Sequence, residues 1–430
     1  MMVTLPLLSS ISVYGAGLAG LSTCYHLLSL SPTTVVKLFD PHPIGTHGAS
    51  AVAAGLSHPF TPNGNLMHRG LEGLRISRQM LADAETVANC TITKDIYRLA
   101  ITMKNEEQCR KMAANHPNHC SQYMASANLP FDTPSLGGVK LTTGLVTDVP
   151  LYLQSLKTFL SHKYPSRFTF SSGSTPSTPP PPSSIHVYAG GSSLFSQPRF
   201  AALPAALVHG QSYLLPTPVT TTPATPTTPA TPATPATLTP AVICGKYILP
   251  TRNPSEMLIG STHEFGVAPL PHETVLETLT SQTLPLLGPL PPVPLNYTFG
   301  TRVNSQRHAL GRLPILGLLA PNQYVFTGLG GRGVVTHGVC GEILARAILG
   351  EELPERLRVR RGRTDAARLG DRRGRRRSRE RRGMEDAEGA AEEEAECEVV
   401  REEVEMTWWR EKYDKALAAN TEEVGSIEYH

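Results

Sequence analysis

Residues 10–40 read SISVYGAGLAGLSTCYHLLSLSPTTVVKLFD, and the fold follows from how this stretch divides. Ser10 to Tyr14 form a short apolar run of strand character. Gly15 to Gly20 form a turn, Leu21 to Leu30 an apolar-striped helix, and Val35 to Phe39 a second strand ending at Asp40. Short connections of this kind imply parallel strands joined by a right-handed crossover. Gly15-Ala16-Gly17-Leu18-Ala19-Gly20 matches G-x-G-x-x-G, and each glycine has a mechanical task. The first permits the tight turn, the second lets a pyrophosphate approach the backbone, and the third allows the helix to pack closely on the sheet. Free N–H groups and the positive dipole end at the helix start then attract an anion. Asp40 lies 20 residues past Gly20, where an acid accepts hydrogen bonds from an adenosine ribose. A carboxylate there also disfavours a 2′-phosphate. The expectation is a dinucleotide site of the NAD or FAD type.

Outward from this unit, helical spacing runs over about 66–88, a strand over 96–103, and helices over 105–115 and 151–160. Strand character returns at 185–189, 241–249 and 257–260. Tyr324 to Thr327 form a strand, Gly328 to Gly333 a second glycine turn, and about Gly338 to Leu349 a helix. That second turn is another anion or dipole site, suited to the electron-rich edge of a flavin.

The order of motifs resembles the FAD-dependent D-amino-acid oxidase superfamily, which includes glycine oxidase, sarcosine oxidase and the flavin domain of a bifunctional tRNA wobble-uridine modifying enzyme. The matching stretches begin with the first glycine turn and Gly48-Ala49-Ser50 with Ala54-Gly55-Leu56. Thr147 to Pro150, His186 to Ser192 and His209-Gly210-Gln211 follow, with His209 replacing the usual Arg. Residues 245–266, Gly300-Thr301-Arg302 through Leu313 to Gly317, and Gly328 to Gly333 complete the set. The resemblance covers most of positions 10–350. It implies an α/β fold, with a Rossmann-like FAD-binding domain interleaved with an α+β substrate domain built on a mainly antiparallel sheet. The expected FAD-binding segments are about 8–65, 140–215 and 300–350, and the expected substrate-domain segments about 66–139 and 241–299.

The resemblance further implies oxidation of the C–N bond of an amine or amino acid, by hydride transfer to flavin N5. Such chemistry needs no metal and no nucleophile. It needs a carboxylate anchor, and the planar fork of Arg suits that task. Arg302 and Arg332 are the anchors expected. Gly15, Ala16, Gly17, Leu18, Ala19, Gly20, Asp40, Ala49, Ser50, Gly55, Gly190, Gly328, Gly330, Gly331 and Gly333 are expected to contact FAD. His58, His68 and Arg69 lie where family members shape the pocket, and His47 stands where some relatives carry a histidyl–flavin link. O2 is one electron acceptor that would serve. Flavin-dependent tRNA modification and a non-catalytic flavin-binding role are the alternatives.

Composition sets bounds around this core. Residues 1–350 hold 21 basic and 14 acidic side chains, whereas residues 351–430 hold 18 and 22, so the last 80 residues carry more than half of all charge. Fourteen Arg in 356–382 precede eleven acids in 385–405. Adjacent blocks of opposite sign read as a solvated, disordered or loosely helical tail ahead of a nucleic-acid grip. Residues 171–184 and 216–240 are Pro/Thr/Ser tracts, read as loop insertions that add length without adding a domain. The seven cysteines form no C-x-x-C pair, and Cys109, His116, His119 and Cys120 fit no metal-ligand spacing. No apolar run reaches the ~20 residues of a membrane helix, and the N-terminus lacks the basic region of a signal peptide. A cytoplasmic location is the expectation, with an organelle left open.

Overall fold

The computed structural model describes residues 10–130, 133–173, 184–217, 240–265, 269–287, 294–308 and 311–350. All fall within the unit Met1–Leu353. The interiors of both Pro/Thr/Ser tracts, and the whole charged tail, lie outside the described residues.

The 10–40 stretch folds as its sequence predicts, except that the helix starts three residues early, at Leu18. Strand β1 (Ser10–Tyr14), helix α1 (Leu18–Leu30) and strand β2 (Val35–Asp40) follow one another, with β1 and β2 parallel and Tyr14 opposite Phe39. They join β9 (Phe168–Ser172), β10 (Ile185–Tyr188), β19 (Ile315–Ala320) and β20 (Gln323–Thr327) in a six-stranded sheet. Its order is β19-β20-β10-β1-β2-β9, and every pairing is parallel except the β19–β20 edge. Helices α1, α3 (Gly70–Glu85), α5 (Val149–Lys163) and α7 (Gly333–Ile348) pack with this sheet. Leu21, Leu27, Val36, Leu38, Met80, Leu156 and Leu344 are buried in the core they share. Parallel strands buried by helices read as continuous apolar runs, which is why β1, β10 and β20 were expected from sequence, whereas the more exposed edge strand β9 was not.

The second sheet has nine strands and is antiparallel apart from one pairing, β12 (Ala241–Ile243) with β5 (Ile96–Ala100). From β5 it continues through β7 (Gly137–Lys140) to β6 (Met124–Ala125). In the other direction it runs through β13 (Tyr247–Pro250) and β14 (Glu256–Gly260) to β11 (Ala205–Pro216). β15 (Glu264–Phe265) and the long β16 (Asn296–Ser305) also pair with β11. Alternation divides β5 between two cores: Ile96 packs with Phe60, Val139 and Leu141, while Tyr97 and Leu99 pack with Tyr213, Ile248 and helix α6 (His272–Leu287). Helix α4 (Met103–Asn115) follows β5; β3 (Leu56–Ser57), β8 (Leu145–Thr147) and β4 (Thr91–Thr93) make a small third sheet, and β17 (Arg307–His308) with β18 (Gly311–Arg312) a hairpin.

Several sequence expectations are corrected. The 241–249 stretch is a hairpin, β12 and β13, turning at Gly245. Helix α3 begins at Gly70 rather than near 66, and β5 ends at Ala100 because Thr102 caps α4 by accepting from the Asn105 N–H at 3.2 Å. Helix α7 starts at Gly333, five residues before its expected start. Residues 205–214 pair with 296–305 in the nine-stranded sheet, so the expected FAD-binding segments 140–215 and 300–350 each lend residues to that sheet.

Candidate functional site

Asp148 caps α5 through the Leu151 N–H at 3.1 Å. Helices α1 and α7 differ: each opens with no side-chain cap, behind Gly17 and Arg332 respectively. The N–H groups of an uncapped first turn are orphan donors at the positive end of a helix dipole. Both starts lie beyond the carboxyl ends of parallel strands, α1 after β1 and α7 after β20. They also meet, since a Cβ on Gly333 would stand 3.4 Å from Cδ1 of Leu18. Two uncapped helix starts converge at one edge of the sheet, the place where open α/β sheets take up ligands.

The first glycine turn is shaped by backbone approach. Gly15 has φ +110, and its N–H donates to the Phe39 carbonyl at 2.8 Å. Gly20 lies inside α1, where a Cβ would fall 1.7 Å from the Gly15 carbonyl oxygen. Only hydrogen fits there. Asp40 closes the turn from β2: its Oδ2 accepts from the Ala16 N–H at 2.7 Å and its Oδ1 from the His42 N–H at 2.9 Å.

The short helix α2 (Gly48–Ala51) bridges the first glycine turn to the second sheet. Ser50 Oγ accepts from the Leu18 N–H at 3.4 Å and would be 3.0 Å from a Cβ on Gly17. Ala49 lies against Gly300 on β16. Two residues on, Arg302 extends over Gly210 of β11, whose missing side chain leaves room for the guanidinium; a Cβ there would be 2.7 Å from Nη2. Nη2 donates to the Thr262 carbonyl at 3.1 Å, and Nη1 approaches Gly331 of the second glycine turn. Nε is buried with no hydrogen-bond partner. Burial lowers the Arg302 pKa, and the Tyr247 phenol opposes that shift.

Arg332 follows Gly331. Its Nη1 stands 3.2 Å from Nε2 of the buried His58. Burial, then the charge of Arg98, pushes its pKa down to about 10, so it remains a cation at neutral pH. His58 is pushed well below the ordinary histidine value by burial, Arg332 and Arg98 in that order, and is neutral. The Phe60 N–H donates to His58 Nδ1 at 3.2 Å, so both ring nitrogens face donors. A neutral imidazole has one acceptor nitrogen and satisfies only one of them. Among the described residues no ion pair holds Arg98, Arg302 or Arg332. The site therefore carries a surplus of positive charge.

The other expected residues have varied surroundings. Gly55 is packed against Thr147, where a Cβ would be 1.7 Å from the carbonyl oxygen, and Gly328 against Ile315. Gly190 follows β10 and abuts the first glycine turn, its N 2.8 Å from where a Cβ on Gly15 would stand. His47 is exposed and stacks on His42 at 3.7 Å. Arg69 is held by Glu72 at 2.5 Å. Arg98 and Tyr247 were not singled out from sequence. Tyr247 lies inside the 245–266 stretch already noted, whereas nothing local to Arg98 signals its role.

Residues 186–347 match the family model described as FAD dependent oxidoreductase. That stretch belongs to a FAD-dependent oxidoreductase domain. The chain's fold is shared with glycine oxidase from Bacillus cereus ATCC 14579 (15% identity, 80% of this chain and 96% of that one, TM-score 0.60). Iminodiacetate oxidase from Chelativorans sp. BNC1 (18%, 81% and 98%, 0.59) and L-proline dehydrogenase from P. horikoshii (13%, 83% and 98%, 0.59) are similar in the same way. No curated protein matches the chain. The oxidoreductase domain uses FAD as its cofactor, and the convergent, uncapped starts of α1 and α7 suit a dinucleotide with an anionic middle and an electron-accepting ring. Among the described residues no helix is long and apolar enough to cross a membrane.

Proposed function

We propose that this chain oxidises the C–N bond of a small amine or amino acid. The observation that carries the reading is Arg302: a half-buried guanidinium at the second glycine turn, with no carboxylate partner among the described residues and one buried N–H unused. An arginine placed so is built for an anion that arrives with a ligand. The three similar structures bear names for proteins acting on glycine, iminodiacetate and L-proline, each a nitrogen compound with a carboxylate.

In this reading the α1 start, from Gly15 to Gly20, holds the FAD pyrophosphate, with Ala49 and Ser50 closing over it. Asp40 holds the adenosine ribose. Gly330, Gly331 and Gly333 present the α7 start to the flavin ring. Bound FAD supplies the two-electron acceptor for the substrate hydride. Arg302 fixes the substrate carboxylate and so orients the carbon next to nitrogen, the positioning by which a bound geometry lowers a barrier. The α7 dipole and the Arg332 charge favour the negative charge that develops during transfer. Arg332 is the second anchor, its hold on His58 contested by the Phe60 N–H.

A panel of amines and amino acids tests this, read by hydrogen peroxide release and, in parallel, by reduction of an artificial dye. Turnover of a carboxylate-bearing amine in either assay is expected. No turnover of any member in both would overturn the reading. Peroxide release would identify O2 as the acceptor, and dye reduction alone a dehydrogenase.

A further inference from the structure

Helix α3 presents two faces. Gly73, Ile76 and Ser77 face α7, where Ser77 Oγ donates to the Val335 carbonyl at 3.0 Å. Leu71, Leu74, Arg75, Arg78, Gln79 and Ala82 recur at helical spacing along another stripe. With His119, which follows α4, and Thr143, between β7 and β8, they line a cavity of about 370 Å³. That is the lower end of the range for small-molecule sites.

The polar groups in this wall are incompletely used. Arg78 donates through Nη2 to the Thr143 carbonyl at 2.7 Å, yet its Nε is buried without a partner. His119 Nδ1 and Thr143 Oγ1 are likewise buried and unpartnered. Buried polar atoms are rarely left so, and three of them cluster in this wall. Among the described residues no ion pair holds Arg75 or Arg78. The wall thus combines the two cations with three neutral hydrogen-bonding side chains, Gln79, His119 and Thr143, and the apolar Leu71, Leu74 and Ala82. Burial lowers the pKa of both Arg78 and His119, and an anion close by would reverse that pressure.

We propose that this cavity binds a small organic carboxylate with an apolar tail, its carboxylate on Arg78, His119 and Thr143 and its tail against Leu71, Leu74 and Ala82. Arg75, at the exposed side of the stripe, adds attraction for the charge. The site is separate from the Arg302 region and does not depend on what that region oxidises. Its position is one helix away from α7, so occupancy would bear on the element that carries the second glycine turn.

The test is calorimetric titration of the full chain carrying Arg302→Ala and Arg332→Gln, which removes both proposed substrate-carboxylate anchors. Sodium hexanoate is the probe, with hexanol and inorganic phosphate as comparison ligands. Hexanoate is expected to bind at least tenfold more tightly than either. Adding Arg78→Gln, or in a separate chain Thr143→Val, is expected to weaken hexanoate at least tenfold while the melting temperature stays near that of the parent. Thr143→Val keeps side-chain shape, so it serves if Arg78→Gln folds poorly. Absence of hexanoate binding, binding unchanged in both folded variants, or phosphate binding as tight as hexanoate would each overturn the proposal.

Discussion

Arg302→Ala is expected to retain FAD and to raise KM for an amino-acid substrate by roughly 100-fold, because losing one partner of a buried, hydrogen-bonded charge pair costs about 2–5 kcal/mol. The guanidinium is preorganised for its task. Thr262 O fixes Nη2 and Gly210 makes room beneath it, so little side-chain entropy is lost when an anion docks. The interaction holds substrate and transition state alike, so the loss should appear chiefly in KM, with kcat changed far less. Arg302→Lys should recover only part of it, since an ammonium cannot offer two parallel donors. Steady-state kinetics with a retained flavin spectrum would check this. Unchanged KM would remove Arg302 from the substrate site.

Gly20→Val is expected to give a colourless protein. The first added carbon would lie 1.7 Å from the Gly15 carbonyl oxygen, which is backbone and cannot rotate aside. Relief requires α1 to move off β1, and its start then no longer meets the start of α7 at Leu18 and Gly333. Overpacking of ordinary side chains costs about 1–3 kcal/mol; a contact between rigid backbone atoms costs more. The purified variant should lack flavin absorption and melt well below the parent, with circular dichroism reporting how much helix remains. A yellow variant with an unchanged melting temperature would show that the turn does not hold the cofactor.

These two residues also mark what the sequence could and could not reveal. Gly20 was legible because the first unit is local: strand, turn, helix and acid all fall within 31 residues, Ser10 to Asp40. The same holds for the second glycine turn after β20. Sheet membership of 205–216 was not legible, because β11 finds its partner β16 about 90 residues away and no local pattern encodes that pairing. The α7 start was missed because Val334, Val335 and Thr336 are β-branched and Gly338 reads as a helix boundary. Tertiary contact overrides both preferences: α7 crosses α3 closely at Gly338, where a Cβ would be 3.0 Å from Ile76 and Ser77. Arg98 escaped notice for a related reason. It sits on β5, yet its guanidinium reaches the Thr61 carbonyl at 3.1 Å and acts electrostatically on Arg332 and His58. The surplus of charge at the site exists only once the chain is folded.

The central claim is that the convergent starts of α1 and α7 hold FAD, and that this cofactor accepts electrons from an amine. The most direct measurement is the visible absorption spectrum of the purified full chain, before and after anaerobic addition of the amine and amino-acid panel. The account predicts flavin bands in the purified protein, FAD released on denaturation, and bleaching of those bands by at least one carboxylate-bearing amine. A colourless chain that binds NADH instead, or a flavin that no amine bleaches, would contradict it.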